Sequence, residues 1–233
     1  MDKYALGNKK KMNNSDLSHK ILRFVDDCSF YSTTYVLELY SFNSNSWKVV
    51  GVTHPKWDIR QYCHRVLSLK GDTYWYAKDK YLGQDGIKDF LICFDFTTER
   101  FVPCLLLPFH YNSPESEDTV TLSSVGEEQL AMLYQCEYTL GMEIWVTSKV
   151  EPKEVSWKKL FLAVGMRPLT GFQFHIGNFY IDQKRNVMVV FKRSVAYIIG
   201  KKGYFEKVDR GDSIDGNSYS LVYSNYVPSS MHI

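Results

Sequence analysis

The chain has 233 residues, of which 45% are hydrophobic and 23% charged, a composition typical of a folded protein and not of a disordered one. Its net charge of +2, from 28 basic and 26 acidic residues, gives no electrostatic case for nucleic acid or an anionic membrane as a partner. Aromatic residues reach 15%, and because they favour strands this excess predicts β structure.

The first predicted repeat covers residues 2–51 and contains four candidate strands. Three segments, 4–6, 20–24 and 35–40, alternate in polarity or are rich in aromatic and β-branched residues, as strands are. Residues 43–46 form a polar turn, because short polar side chains bond their own backbone there. Trp47 then opens the fourth strand.

The same order of strands, polar turn and large aromatic residue returns in three further predicted repeats, 64–108, 118–164 and 174–208. The aromatic residues that open the fourth strands recur at intervals of roughly 50 residues, as in kelch-like propeller blades. These residues are Trp47, Phe101, Trp157 and Phe205. We therefore predict an all-β fold, a partial or small β-propeller of about four blades of antiparallel strands.

The predicted propeller-like domain spans residues 1–210, and residues 211–233 form a polar tail that could add a last strand at 221–223. Residues 127–134 have a spacing that would also fit one or two helical turns, but their place in the repeat favours a strand. Each fourth-strand aromatic ring is expected to wedge between neighbouring blades and to be buried there, because a blade cannot cover its own two apolar faces.

Reactive side chains do not assemble into a recognisable catalytic or metal-binding motif. The five cysteines include no CxxC pair, which argues against a disulfide framework. Cys63 and His64 are the one close pair of metal-ligand type, but adjacent strand residues point to opposite faces. Neither GxSxG nor HExxH occurs. We expect no catalytic residue, no metal and no cofactor, and predict that the protein is not an enzyme.

The chain also shows no targeting or membrane signal. Its N-terminus has no apolar signal core, and its longest apolar runs are far too short to cross a bilayer. With no disulfide framework, these features predict a cytoplasmic or nuclear protein without a membrane partner.

One rim of the propeller is predicted to bind a partner. In an up-and-down blade, the loops between the second and third strands lie on the same side as the connections between blades. Tyr, Trp and Arg dominate binding hot spots. Six such residues lie in these loops and in the connections between blades: Tyr31, Trp57, Arg60, Tyr81, Tyr111 and Arg167. The alternative is that several of them pack under their own loops.

Several segments carry a resemblance to a known family: Glu38-Leu39-Tyr40-Ser41 with Ser46-Trp47-Lys48, Leu69-Lys70-Gly71-Asp72-Thr73-Tyr74-Trp75, Phe94-Asp95-Phe96-Thr97-Thr98-Glu99-Arg100-Phe101 before Leu107-Pro108, and Met142-Glu143-Ile144-Trp145-Val146 with Val155-Ser156-Trp157. The chain resembles the F-box-associated interaction domain of the large plant F-box protein family over essentially its whole length.

This resemblance implies a non-enzymatic protein-interaction domain that selects the protein to be ubiquitinated by an SCF-type, cullin-based ligase. In the family an N-terminal F-box grips the ligase adaptor. No F-box precedes Asp2 in this sequence, which leaves adaptor binding in doubt. The alternatives are a carbohydrate-binding, lectin-like propeller and a truncated, non-functional remnant. The sequence does not identify the target protein, the oligomeric state, or whether the blades close into a ring.

Overall fold

The structure is a computed structural model that describes residues 3–9, 18–29, 32–53, 56–59, 66–79, 89–109, 119–136, 141–151, 154–163, 178–192 and 195–209. Within these ranges the chain forms strands β1 to β17 and one single-turn 3-10 helix at Lys201–Gly203, with no α-helix. The prediction of an all-β fold is therefore confirmed, and residues 129–135 form a strand as expected. The tail at 211–233 lies outside the described residues.

The first two sheets follow the chain in order, and their strands pair antiparallel. The first sheet has the order β1-β2-β3-β4, with the strands β1 (Lys3–Lys9), β2 (Ser18–Ser29), β3 (Ser32–Ser41) and β4 (Ser46–Thr53). The second sheet has the order β5-β7-β8-β9, with β6 also paired to β7. Its strands are β5 (Trp57–Asp58), β6 (Leu67–Leu69), β7 (Asp72–Asp79), β8 (Asp89–Asp95) and β9 (Arg100–Leu106).

The last two sheets repeat this arrangement. The third sheet has the order β10-β11-β12-β13, with the strands β10 (Thr119–Val125), β11 (Gln129–Gln135), β12 (Met142–Glu151) and β13 (Glu154–Ala163). The fourth sheet has the order β14-β15-β16-β17, with the strands β14 (Asn178–Asp182), β15 (Val187–Lys192), β16 (Val195–Gly200) and β17 (Phe205–Asp209). Four sheets of four or five strands are the architecture of a partial β-propeller.

The chain divides into two compact units. The first unit comprises Met1–His110 with Glu151–Glu154, and the second comprises Tyr111–Val150 with Val155–Ile233. The first unit therefore contains the first and second sheets, and the second unit contains the fourth sheet and the third sheet apart from Glu151 and Glu154. That residues 1–210 act as one domain stays a prediction.

The core of the first unit lies between its two sheets. Register places Leu22 opposite Leu39 on one face of the first sheet, and both are fully buried. They join one hydrophobic cluster with Trp75, Ile92 and Phe94 from the second sheet. The strand alternation that the sequence shows is thus the alternation between this core and the opposite face of the sheet.

Polar contacts tie the first sheet to the second along β1. The Asn8 backbone N–H donates to the Gly71 carbonyl at 3.0 Å. The hydroxyls of Ser68 and Thr73 both donate to the carbonyl of Leu6. These bonds cross between separate sheets, so they fix the relative position of β1 and the strands β6 and β7.

A three-residue charge cluster adds to this junction. Glu99, in the turn before β9, accepts from Lys20 and from Lys48 at 2.6 Å each, one carboxylate oxygen to each lysine. Lys20 is buried and its ammonium also lies 3.5 Å from the Phe96 carbonyl. Partial burial alone would raise the pKa of Glu99, but the hydrogen bonds and charges of the two lysines outweigh it and lower the pKa below its ordinary value of 4.5.

Removal of this carboxylate is expected to destabilise the first unit. Glu99→Gln should lower the free energy of unfolding at pH 7 by about 1–3 kcal/mol, because it leaves the buried Lys20 without its anion. Because the folded pKa of Glu99 is depressed, its contribution is present above the unfolded pKa and is lost as the pH falls through the folded pKa. Urea unfolding from pH 7 down to pH 2 should therefore show that the variant loses less free energy of unfolding on acidification than the wild type does.

Lys48→Met is the control, and it should lower the free energy of unfolding by about 1 kcal/mol or less, because Lys48 is exposed. Equal losses for the two variants would contradict this account.

The core of the second unit has the same construction. Ile144, Leu133 and Val146 of the third sheet cluster with Phe179 and Val190 of the fourth. The Ser123 hydroxyl in β10 donates to the Phe179 carbonyl in β14 at 2.8 Å. Each unit therefore joins its two sheets by an apolar core and by a hydroxyl that donates to a carbonyl in the first strand of one sheet.

The prediction that all four fourth-strand aromatic rings are buried is wrong for Trp47, which is 46% exposed. Trp47 pairs with Tyr40, on the face of the first sheet opposite to the buried Leu37 and Leu39. Phe101 instead pairs with the buried Phe94 and packs against the core of the first unit. The two hairpins have the same register, with Tyr40 opposite Trp47 and Phe94 opposite Phe101. What differs is the face that meets the core: in the second sheet it is the face that carries Phe101, and in the first sheet it is the face opposite to Trp47.

The remaining two rings are partly buried. Phe205 pairs with the buried Ile199 and packs against the core of the second unit, stacking on Tyr197 with ring centroids 6.1 Å apart. Trp157 in β13 is half-buried. The aromatic residue of the repeat is thus a core residue at Phe101 and Phe205, but it does not serve the same purpose in every sheet.

Candidate functional site

Of the six residues predicted to bind a partner, the structure describes Trp57. Tyr31, Arg60, Tyr81, Tyr111 and Arg167 lie outside the described residues. Trp57 belongs to β5, which pairs with the end of β7, although the sequence placed it in a connection between blades. Its half-buried ring stacks on Tyr35 with centroids 6.0 Å apart and meets Phe101 edge-on at 5.2 Å. A partner-binding function for Trp57 and the other five stays a prediction.

A cavity of about 210 Å³ opens between the two sheets of the second unit. Its apolar lining comes from both sheets: Ile144 and Leu160 from the third, Ile181, Met188 and Ile199 from the fourth. Gln183, Asn186 and Lys201 add polar groups. The cavity therefore combines an apolar lining with polar groups, as binding pockets do.

Strand register explains the apolar lining. Ile181 pairs with Met188, and Met188 pairs with Ile199, so three neighbouring strands place these side chains in one row on the same face. All three are nearly fully buried and belong to the core cluster that Ile144 joins from the third sheet. The inner end of the cavity is therefore continuous with the core.

The turn between β14 and β15 supplies part of the polar lining. Asp182 accepts hydrogen bonds from the backbone N–H groups of Lys184 and Arg185 at 2.9 and 3.1 Å, which closes the turn. The Asp182 carboxylate also lies 3.8 Å from the Arg185 guanidinium. Asn186 then adopts a left-handed conformation, with φ of 54°, which Asn tolerates better than most residues. The Asp182 carboxylate is therefore engaged within the turn, whereas the Asn186 side chain is exposed.

This cavity lies at the end of the sheet opposite to the predicted binding rim. It is bordered by the β14–β15 turn and by the 3-10 turn between β16 and β17, whereas the prediction chose the loops between second and third strands and the connections between blades. The sequence did not predict this cavity. No local pattern could reveal it, because Ile144 and Ile181 meet only when two sheets stack.

The outward face of the first sheet is a second distinctive surface. We use this name for the face opposite the core, formed by Tyr4, Leu6, Ile21, Arg23, Val25, Val36, Glu38, Tyr40, Trp47 and Val49. Four of its apolar side chains are about half exposed or more: Tyr4 at 54%, Leu6 at 51%, Trp47 at 46% and Val49 at 63%. Arg23 and Glu38 form an ion pair at 3.2 Å within it. An apolar face of this kind is a feature of interaction surfaces.

No group of three or more His, Cys, Asp or Glu side chains in the described ranges is arranged to hold a metal ion. Burial strongly raises the pKa of Tyr74, and the neighbouring Cys93 and Asp72 raise it further, so the phenol stays protonated near neutral pH. Among the described residues, no helix has the length and apolar character needed to cross a membrane.

Sequential antiparallel sheets, joined in pairs by apolar cores, define this chain as a partial β-propeller. It belongs to the family of F-box-associated β-propeller domains, whose family model matches residues 1–233. The resemblance noted in the sequence is thus confirmed.

Curated proteins of Arabidopsis thaliana are similar to the whole chain. It is 54% identical to F-box protein At5g42460 over 247 residues, covering 100% of this chain and 60% of the relative. It is 49% identical to F-box/kelch-repeat protein At3g16740 over 255 residues, covering 100% of this chain and 63% of the relative. It is 51% identical to F-box protein At2g17830 over 254 residues, covering 100% and 61%. The chain thus spans about three fifths of the length of these relatives.

Proposed function

We propose that the chain is a non-enzymatic protein-interaction domain that selects target proteins for an SCF-type ubiquitin ligase. The observation that carries the proposal is the match of all 233 residues to an F-box-associated β-propeller domain, together with relatives named as F-box proteins. In such a protein the F-box holds the ligase adaptor, so the associated domain is left to contact the target.

The outward face of the first sheet supports a function in binding proteins. Exposed Trp and Tyr side chains supply large contact areas and are enriched at interaction hot spots. On this face Tyr4 and Trp47 are exposed together with Leu6 and Val49. The predicted rim residues are a separate candidate surface, and the experiment below compares the two.

We further propose that these 233 residues bind the target without gripping the adaptor, since the F-box-associated domain accounts for their whole length. The expected compartment is the cytoplasm or the nucleus. Mixing the purified chain with purified adaptor should give no complex in size-exclusion chromatography, and a complex would contradict this point.

Direct binding tests the proposal. Proteins labelled by proximity to the chain in plant cells would be purified and titrated against it by calorimetry. We expect at least one to bind at micromolar or lower Kd. Trp47→Asp with Val49→Asp tests the outward face, Ala at all six predicted rim residues tests the rim, and Val208→Asp is the control at another exposed valine. A tenfold loss of affinity in one test variant but not in the control is expected.

No direct binding by any purified protein, together with selective binding on a glycan array, would favour the lectin-like alternative instead.

A further inference from the structure

We propose that the cavity of the second unit binds one large apolar side chain of a target polypeptide, with an acidic residue of that polypeptide placed beside Lys201. The inference rests on the proposed function, because it states which chemical feature of a target the domain would recognise. It is carried by the volume of the cavity, its lining and the charges at its border.

The volume selects a single side chain. Pockets that hold whole drug-sized ligands usually enclose about 300–1,000 Å³, and this cavity encloses about 210 Å³. An apolar cavity of about 150 Å³ is known to accept benzene. The space therefore suits a Leu, Ile, Met or Phe side chain and is small for a drug-sized ligand.

The lining favours an apolar occupant. Four of the lining side chains are buried and belong to the core: Ile144, Ile181, Met188 and Ile199. Leu160, in β13, is 37% exposed. A side chain that enters would itself leave water and would cover the exposed part of Leu160, which stabilises the complex in proportion to the apolar area covered. A sugar would place hydroxyl groups against this lining without partners, which is unfavourable.

The charges at the border favour an acidic neighbour. Among the described side chains of the two bordering turns, Lys184, Arg185 and Lys201 are cationic and Asp182 is acidic. The Asp182 carboxylate is engaged by its own turn and by Arg185. Lys201 is exposed and its ammonium makes no ion pair within the described residues. A carboxylate of the target therefore finds an available cation at the cavity, whereas a Lys or Arg would meet repulsion.

Amide groups at the border suit a polypeptide backbone. Asn186 is exposed, and its carboxamide carries donors and an acceptor. The Gln183 amide donates to the Gln129 side-chain oxygen at a long 3.5 Å. A peptide segment that places its side chain in the cavity would bring its own N–H and C=O groups near these amides. The site thus fits a short apolar-acidic segment.

Synthetic peptides test the inference on the full chain. The probe is a nine-residue Gly/Ser peptide with a central Leu-Asp, compared with peptides in which Ala replaces Leu or Lys replaces Asp. Methyl NMR would follow Ile144, Ile181, Met188 and Ile199, with Ile92 of the first unit as an internal reference. We expect the Leu-Asp peptide to shift the four cavity methyl signals. The peptide with Ala in place of Leu should bind about tenfold more weakly, because the apolar area that Leu buries is lost. The peptide with Lys in place of Asp should bind about threefold more weakly.

Variants at exposed positions test the same site without disturbing the core. Leu160→Trp fills the cavity edge and should abolish the shifts, whereas Leu106→Trp, at an exposed leucine of the first unit, should leave them unchanged. Lys201→Glu should reverse the preference for Asp over Lys, and Lys207→Glu should not. Asn186→Gly keeps the left-handed turn and removes only the amide, so it should weaken binding of every peptide alike.

The outcomes separate this inference from the proposed function. Absence of shifts at the cavity methyl groups with millimolar peptide, or shifts that survive Leu160→Trp, would overturn the inference. If a target protein found by direct binding associates equally well with the Leu160→Trp and Lys201→Glu variants, the proposed function stands and the cavity is not its site. Peptide binding at the cavity with no cellular protein bound would support the site and overturn the proposed function.

Discussion

Replacing Phe24 with Ala is expected to lower the free energy of unfolding of the first unit by about 3–5 kcal/mol. Phe24 is fully buried between the first and second sheets. Its ring meets Tyr35 and Trp75 edge-on, at centroid distances of 6.0 and 5.3 Å, and lies 6.0 Å from Phe101. The substitution removes the apolar area of the ring and leaves a cavity among three aromatic side chains that cannot collapse fully into it.

Guanidinium unfolding followed by tryptophan fluorescence measures this loss, because Trp75 lies beside Phe24. Trp47→Ala is the matched control, since it deletes a larger ring that is half exposed. We expect it to cost about 0.5 kcal/mol or less, as surface substitutions usually do. A loss for Trp47 as large as that for Phe24 would mean that the outward face of the first sheet is covered in solution.

The sequence predicted the strands and their grouping well because both depend on short-range patterns. The segment 35–40 alternates, and the structure shows Tyr35, Leu37 and Leu39 buried while Val36, Glu38 and Tyr40 are half-buried. Turns between strands are also local, as at Asp95, whose carboxylate binds the N–H groups of Thr97 and Thr98. The repeat length then indicated four blades.

The sequence did not predict the features that depend on how the sheets stack. Trp47 and Phe101 hold the same place in the repeat, but only the second faces a core, and neither segment shows which face of its sheet meets another sheet. β5 has two residues, too few for any periodicity, and is held in place by pairing with Lys78 and Asp79. The cavity of the second unit requires Ile144 and Ile199 to meet across two sheets. Each of these features is a property of packing.

Gly7→Ala is expected to destabilise the first unit by about 3 kcal/mol, at the upper end of the cost of overpacking. A Cβ at Gly7 would lie 2.2 Å from the Phe96 ring and 2.6 Å from the Gly71 carbonyl oxygen. Phe96 is fully buried and packs edge-on against Phe94 with centroids 5.0 Å apart, so its ring cannot turn aside. The Gly71 carbonyl accepts from Asn8, so its displacement would also break the bond between the two sheets.

The glycine control separates steric overlap from the general effect of adding a methyl group to a strand. A Cβ at Gly51 in β4 would have no atom within 4 Å. Gly51→Ala should therefore leave the urea midpoint unchanged or raise it slightly, because Ala restricts the unfolded chain more than Gly does. Hydrogen exchange at the Asn8 amide gives the second measurement, and Gly7→Ala should accelerate it by at least tenfold while Gly51→Ala does not. If both variants unfold at the wild-type midpoint, β1 does not approach β7 as closely as described, and the bonds from Asn8, Ser68 and Thr73 could not hold the two sheets together.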